Sequence, residues 1–374
     1  QVLNKPPLKL LDRVQQPVNF GNAQVSGKGR VEVLLKSNLT SDEITYEVKG
    51  TAKKFSSNMI NPDFIISNGT LDFFADKKGL EIKGNAKVKD LPFQARLLGS
   101  LAKDEPKFLE IDFSLSEKVL EMLTDGFPEI KISGSAPAKL YLKFLESKKV
   151  EFDLVSDLKG VELSYLPIGW VKEMNGEAEL KVSGTIGNEF VLNNVYLISP
   201  SLALVGSAVQ QKDENFMFNF EKLALEDVFD IQLVIEKDGV LEVTGGELDM
   251  QEFIKLPLAK NSSKKSTPIT IYLDELKLYE EQVITKFTAA LEATGKGKFS
   301  GSLNDLASFE GVLERVEEGY NIRANSNNAG SFIRALGAAK AADGGTAQLN
   351  LRHLKNSPGM QGKLKIKNIR LRNM

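Results

Sequence analysis

The chain has 374 residues, 42% of them apolar and 26% charged, which is the composition of a folded protein with room for one large or two ordinary domains. Its 48 Lys and Arg against 50 Asp and Glu give a net charge of −2, without the basic bias expected of a nucleic-acid binder. Cysteine is absent, which excludes disulfides, thiol catalysis and cysteine metal sites and suits an oxidising compartment.

Residues 1–17, with Pro6, Pro7 and Pro17, read as an extended lead-in. No run approaches the roughly 18 apolar residues of a membrane helix. Gln1 is not an initiator methionine and no signal peptide is present, so the chain is expected to be a piece of a longer protein that also continues past Met374.

From Val18 onward the apolar period is two, the period of strands with one face in oil and one in water. Val31, Val33 and Leu35 alternate with Arg30, Glu32 and Lys36. Leu80, Ile82, Gly84, Ala86 and Val88 alternate with Glu81, Lys83, Asn85, Lys87 and Lys89. After the Asp90-Leu91-Pro92 corner come Phe93, Ala95 and Leu97, then Ile111, Phe113 and Leu115. A short helix is expected over 116–125. Strands follow over 129–146, 148–158 (with Phe152), 178–182 (with Leu180 and Val182), 188–198 and 201–210. Phe216, Phe218 and Phe220 share one face of the next strand, opposite Met217, Asn219 and Glu221. Ile231, Leu233 and Ile235 run into an Asp238-Gly239 hairpin turn. Asp249 is placed to cap a short helix carrying Met250, Phe253 and Ile254.

Residues 259–268, AKNSSKKSTP, lack apolar periodicity and read as a linker between a segment 1–258 and a region 269–374. Ile269, Ile271 and Leu273 open a new run of strands. An amphipathic helix follows, carrying Phe332, Ile333, Ala335, Leu336 and Ala339, with Ser331 as its expected cap and Gly344-Gly345 beyond its end. A hairpin closes the chain. Leu349, Leu351, Leu364 and Ile366 lie on its apolar face; Lys363, Lys365, Lys367, Arg370 and Arg372 lie on its basic face. From Gly344 to Met374 there are seven Lys or Arg and no acidic residue, which suits a solvated face or contact with anionic lipid or an acidic partner.

Motifs of chemistry are missing. No H-E-x-x-H, G-x-S-x-G or phosphate-binding G-x-x-x-x-G-K-[ST] occurs. Gly27-Lys28-Gly29 and Gly295-Lys296-Gly297 lack a third glycine and are read as strand starts. The one histidine, His353, is read as a surface residue near a turn. No catalytic residue, metal site or cofactor is expected.

The order Asn328-Ala329-Gly330, Leu336-Gly337, Gly344-Gly345 and Gly362 resembles the AsmA-like C-terminal region of bacterial cell-envelope proteins, which more often carries Asp at the position of Asn328. The pieces Asp157-Leu158-Lys159-Gly160-Val161, Pro167 to Lys172 around Trp170, and Gly245-Gly246-Glu247-Leu248-Asp249 resemble the uncharacterised domain that precedes that region in long, YhdP-like members. The resemblance covers roughly residues 60–374.

Periodicity alone gives a mainly β protein of roughly two dozen strands, mostly antiparallel meander, folded either as a β-sandwich or as an open groove. The resemblance implies the latter: a long meander curled into a twisted U-shaped groove with a few short helices, related to bridge-like lipid transfer proteins. On that reading Ile82, Val88, Phe93, Ile111, Phe113, Phe152, Leu180, Val182, Phe216, Phe218, Phe220, Ile269, Ile271, Leu349, Leu351, Leu364 and Ile366 line a path for phospholipid acyl chains. The expected setting is the periplasm, with a tether to the inner membrane and passage of phospholipid toward the outer membrane. The alternative is a structural or assembly factor of the envelope that acts through protein partners.

Overall fold

The computed structural model describes residues 21–33, 43–58, 65–100, 105–119, 130–145, 149–165, 168–210, 216–236, 239–256, 267–279, 282–316, 319–335, 342–354 and 360–371. The protein is mainly β. Among the described residues twenty-three strands are linked in one mixed sheet, and two short ones pair with each other. α-Helix among the described residues is confined to a turn at 117–119 and to Met250–Phe253 and Ala329–Ala335. The chain divides into two compact units, Gln1–Ser114 with Ala138–Val150, and Leu115–Pro137 with Glu151–Met374.

In the first unit Asn22–Val33, Ile44–Ser57, Ile66–Asp76, Gly79–Val88, Leu91–Gly99 and the strand from Lys107 pair in chain order, all antiparallel. The corner after Val88 is a two-residue turn with both Lys89 and Asp90 at positive φ (45° and 67°), the geometry that matches the twist of a hairpin. Register aligns the alternation from strand to strand. Val25, Ala52, Leu71, Gly84, Ala95 and Ile111 form one transverse row, and Gly27, Gly50, Phe73, Ile82, Leu97 and Leu109 another. Gly27 therefore sits in mid-strand against Gly50, not at a strand start. The row between these two is Ser26, Thr51, Asp72, Lys83, Arg96 and Glu110, on the other face. There Thr51 Oγ1 donates to Asp72 at 2.8 Å, and Arg96 meets Glu81 at 2.8 Å. Lys139 reaches Asp112 at 2.7 Å and Glu110 at 3.2 Å, and those two carboxylates hold its ammonium above the usual lysine range.

In the second unit Glu179–Ile186, Phe190–Ile198, Leu202–Gln210, Phe216–Leu225, Phe229–Ile235 and Leu241–Asp249 form an antiparallel meander. Each of these ladders carries a register shift, between Ser183 and Gly184, Leu192 and Val195, Val205 and Gly206, Phe220 and Leu223, and Gln232 and Leu233. Such bulges bend a strand and tighten its twist locally. The sheet is mixed rather than wholly antiparallel, because Leu241–Asp249 and Ile269–Tyr279 run parallel. A parallel neighbour needs a long crossover. Most of the stretch read as a linker, 259–268, lies outside the described residues; both of its flanks fall in the second unit. Antiparallel pairing then resumes through Gln282–Leu291, Gly297–Leu303, Ala307–Val316, Gly319–Ser326, Thr346–Leu354 and Met360–Lys367.

Candidate functional site

The register of the second unit builds an apolar face across thirteen strands. One transverse row is Val182, Val195, Gly206, Phe220, Leu233, Val243, Ile271, Ala289, Phe299, Gly311, Ala324, Leu349 and Leu364. The adjacent row is Gly184, Leu192, Ala208, Phe218, Ile235, Leu241, Ile269, Leu291, Gly297, Leu313, Ile322, Leu351 and Gly362, in the same ladders. Neither contains a polar side chain. Between them runs a row of the opposite face that includes Asn219, Glu242, Thr270, Lys298, Arg323, Asn350 and Lys363.

Burial decides what these rows are. No Val, Leu, Ile or Phe in either row is buried; the buried members are Gly184, Gly206, Ala208, Ala289 and Gly297. A packed core buries its large aliphatic residues first. This face is apolar but only partly covered.

One margin of the face is sealed. The row Leu202, Leu225, Phe229, Leu248, Leu276, Ile284, Leu303 and Ala307 holds several well-buried large side chains, among them Leu276 and Leu303, each at 4% exposure, and Leu273 beside it is buried too. Trp170 packs on Leu202 and Leu225, and Phe229 and Leu256 join them. Met250 and Phe332, from the two short helices, pack at the other end of the same row.

The residues behind the family resemblance build this seal. Lys172 is buried, and its Nζ donates to the carbonyls of Leu158 (2.8 Å), Val161 (2.8 Å) and Glu173 (3.1 Å). Burial pushes this ammonium below the usual lysine range, with Asp157 acting weakly in the other direction. Trp170 Nε1 donates to Ser201 Oγ at 3.1 Å. Asp249 caps its helix as expected, accepting from the backbone N–H of Gln251 and Glu252 at 2.9 and 3.2 Å.

The cap of the second helix is corrected. Asn328, not Ser331, closes it: Asn328 Oδ1 accepts from Ser331 N at 3.0 Å. Ser331 lies inside the helix, buried, where its hydroxyl accepts from Arg334 Nη2 at 2.7 Å. The next two free helix donors, Ala329 N–H and Gly330 N–H, reach the carbonyls of Gly345 and Gly344 at 3.1 and 2.8 Å. The Ala-Gly and Gly-Gly pairs of the motif are thus two halves of one clasp. A side chain at Gly330 would collide with the backbone of Asp343.

The expected wall residues fall as follows. Val182, Phe220, Ile271, Leu349 and Leu364 share one row, half-buried except for the exposed Leu364, and Ile271 packs against the buried cluster around Leu273; Phe218, Ile269 and Leu351 share the next, half-buried. Leu180 begins a flanking row with Leu197, Leu204, Leu223 and Ile231, and Ile366 faces Ala347. Phe152 is buried at 8% exposure and stacks on Phe190 at 5.8 Å between ring centres. Phe190 meets Phe216, Phe216 meets Phe218, and Phe218 meets Phe220 at 6.2, 5.7 and 5.8 Å, so five rings form a continuous ladder. Ile82 and Ile111 lie in the two rows of the first unit. There Phe93 pairs with Ala86 and Phe113, and Val88 with Ile66 and Leu91.

The basic residues divide. Lys363, Lys365 and Lys367 lie on the face opposite Leu364, whereas Arg370 pairs with Asp343 in the small two-stranded ladder. Arg372 lies outside the described residues, as do Asp238, Leu336 and Ala339. His353 is half-buried within its strand, between Tyr320 and Met360. Sequence reasoning missed Phe190, whose neighbours Val191 and Leu192 mask the alternation, and it missed Lys172 as a buried group.

No protein-family model matches the chain, and no curated protein or solved structure matches it.

Proposed function

We infer that the protein is a non-enzymatic lipid-binding segment that conducts phospholipid between two membranes. Acyl chains lie along the partly covered apolar rows while headgroups stay in water. The observation that carries this is the pair of rows crossing thirteen strands with no polar side chain and no buried large one. A face like that costs free energy in water unless something apolar covers it, and each methylene placed on it contributes about 0.8 kcal/mol. An acyl chain meets no polar group to lodge on, so it slides. The sealed margin supports the same reading, because it confines the chain to one side of the face. The resemblance to AsmA-like proteins supplies the setting: the periplasm of a Gram-negative envelope, a tether to the inner membrane, and delivery toward the outer membrane.

A second reading, an assembly factor that docks a protein partner, is favoured by one feature of the first unit. Phe74, Leu98 and Phe108 stand 37%, 38% and 47% exposed on the face that otherwise carries charge.

Lipid extraction followed by mass spectrometry separates the two. Protein purified from bacteria should carry acyl lipids of mixed headgroup, and delipidated protein should take up fluorescent lipid at more than one site. Protein that carries and binds none would leave the assembly reading.

A further inference from the structure

On the polar face of the second unit several cations stand against carboxylates. Lys222 meets Asp230 at 2.8 Å, Lys277 meets Glu247 at 3.0 Å, and Arg323 meets Glu314 at 2.9 Å. The strand Met360–Lys367 gathers three lysines instead. Lys363, Lys365 and Lys367 project from one face, exposed and roughly 7 Å apart along the strand. Their cross-strand partners are Asn350, Gln348 and Thr346, and among the described residues no carboxylate pairs with any of the three lysines. The same strand bears Leu364 on its other face, 45% exposed, at the end of a partly covered apolar row. Three lysines without a carboxylate partner and the exposed end of a partly covered apolar row therefore meet on one strand, among the described residues the last of its sheet.

We propose that this strand docks on an anionic lipid surface, its lysines holding headgroup phosphates while Leu364 passes acyl chains onto the apolar rows. The docking rests on the lysines alone; the passing of chains rests on the lipid-carrying reading above. Charge complementarity selects an anionic surface, and the continuous apolar row on the strand's reverse selects lipid over an acidic protein. A phosphate held by an exposed ammonium remains hydrated and exchangeable, so the contact is salt-sensitive and reversible.

The test uses the full chain and sedimentation with vesicles. The protein should bind vesicles of phosphatidylcholine with about a third phosphatidylglycerol, and should bind pure phosphatidylcholine far more weakly. Binding should fall as salt rises from about 50 to 500 mM. Lys363→Gln, Lys365→Gln and Lys367→Gln together should cost on the order of a hundredfold in affinity, with an unchanged thermal melt because all three are exposed. Equal binding to both vesicle types, or a triple variant that binds as the parent does, would overturn the proposal. Competition by soluble polyglutamate as effective as that by anionic vesicles would overturn the choice of a membrane. Uptake of monomeric fluorescent lipid distinguishes the two readings. The triple variant should keep it. A parent that takes up none yet still docks through its lysines would remove the lipid-carrying reading and leave the docking in place.

Discussion

The ring of Phe299 lies over Gly311 on the neighbouring strand. The two are register partners, and a Cβ placed on Gly311 would overlap the tip of that ring and stand 2.5 Å from the carbonyl oxygen of Arg323. The pattern recurs. Phe220 covers Gly206, Phe152 covers Gly184, and Phe73 covers Gly50, with the ideal Cβ at 3.0, 2.9 and 2.7 Å from a ring carbon. Glycine lets the ring lie down on the sheet, which keeps the apolar face low and smooth.

Gly311→Ala should therefore destabilise the protein by about 1–3 kcal/mol, the usual cost of forcing extra volume into a filled site. Phe299→Ala in the same chain should recover only part of that loss, because the carbonyl of Arg323 still blocks the methyl group. Thermal melts of the two single variants and the double variant check this. Full recovery would mean the ring alone sets the constraint.

Lys172→Met should cost about 2–4 kcal/mol, since it strands the buried carbonyls of Leu158 and Val161. The pH dependence has a definite sign. Burial lowers the folded pKa of Lys172 below its unfolded value, so between the two the unfolded chain binds more protons. Stability contributed through this group then rises with pH across that window. Denaturant melts of the parent and Lys172→Met on the alkaline side of neutral should show the parent's advantage growing as pH rises toward the ordinary lysine value. A shrinking gap would contradict the burial.

Asn328→Ala should cost about 1 kcal/mol and lower the melting temperature by a few degrees, while Asn328→Asp should be nearly neutral because a carboxylate accepts the same N–H. Ser331→Ala tests the rival cap. It should leave the helix end intact and loosen only Arg334. The reverse order of effects would restore Ser331 as the cap.

The strands and their apolar face were legible because alternation is a local signal. Phe216, Phe218 and Phe220 announce their shared side without any knowledge of the fold. Register is not local. That Val182 and Leu364 belong to one row depends on twelve successive pairings, and each bulge can shift the phase. Lys286, at φ 51°, lies in a register shift that no residue pattern marks. The parallel pairing of Leu241–Asp249 with Ile269–Tyr279 was likewise hidden, because a crossover of serine and lysine reads the same as a linker. Lys172 was invisible for a different reason: its partners are backbone carbonyls, which leave no trace in side-chain sequence. At Asn328 and Ser331 two good capping residues stand three apart, and only the backbone chooses between them.

The central claim is that the face bearing Phe218 is covered by lipid and not by protein. Phe218→Glu tests it most directly, with a thermal melt and a lipid-uptake assay on the same sample. On a face open to water between lipids the carboxylate at the half-buried Phe218 position hydrates whenever lipid is absent, so the melt should stay within a few degrees of the parent. A charge in the path of acyl chains costs several kcal/mol, so uptake and transfer should fall sharply. A collapsed melt or failure to fold would contradict the account, because it would mean that Phe218 sits in a packed core.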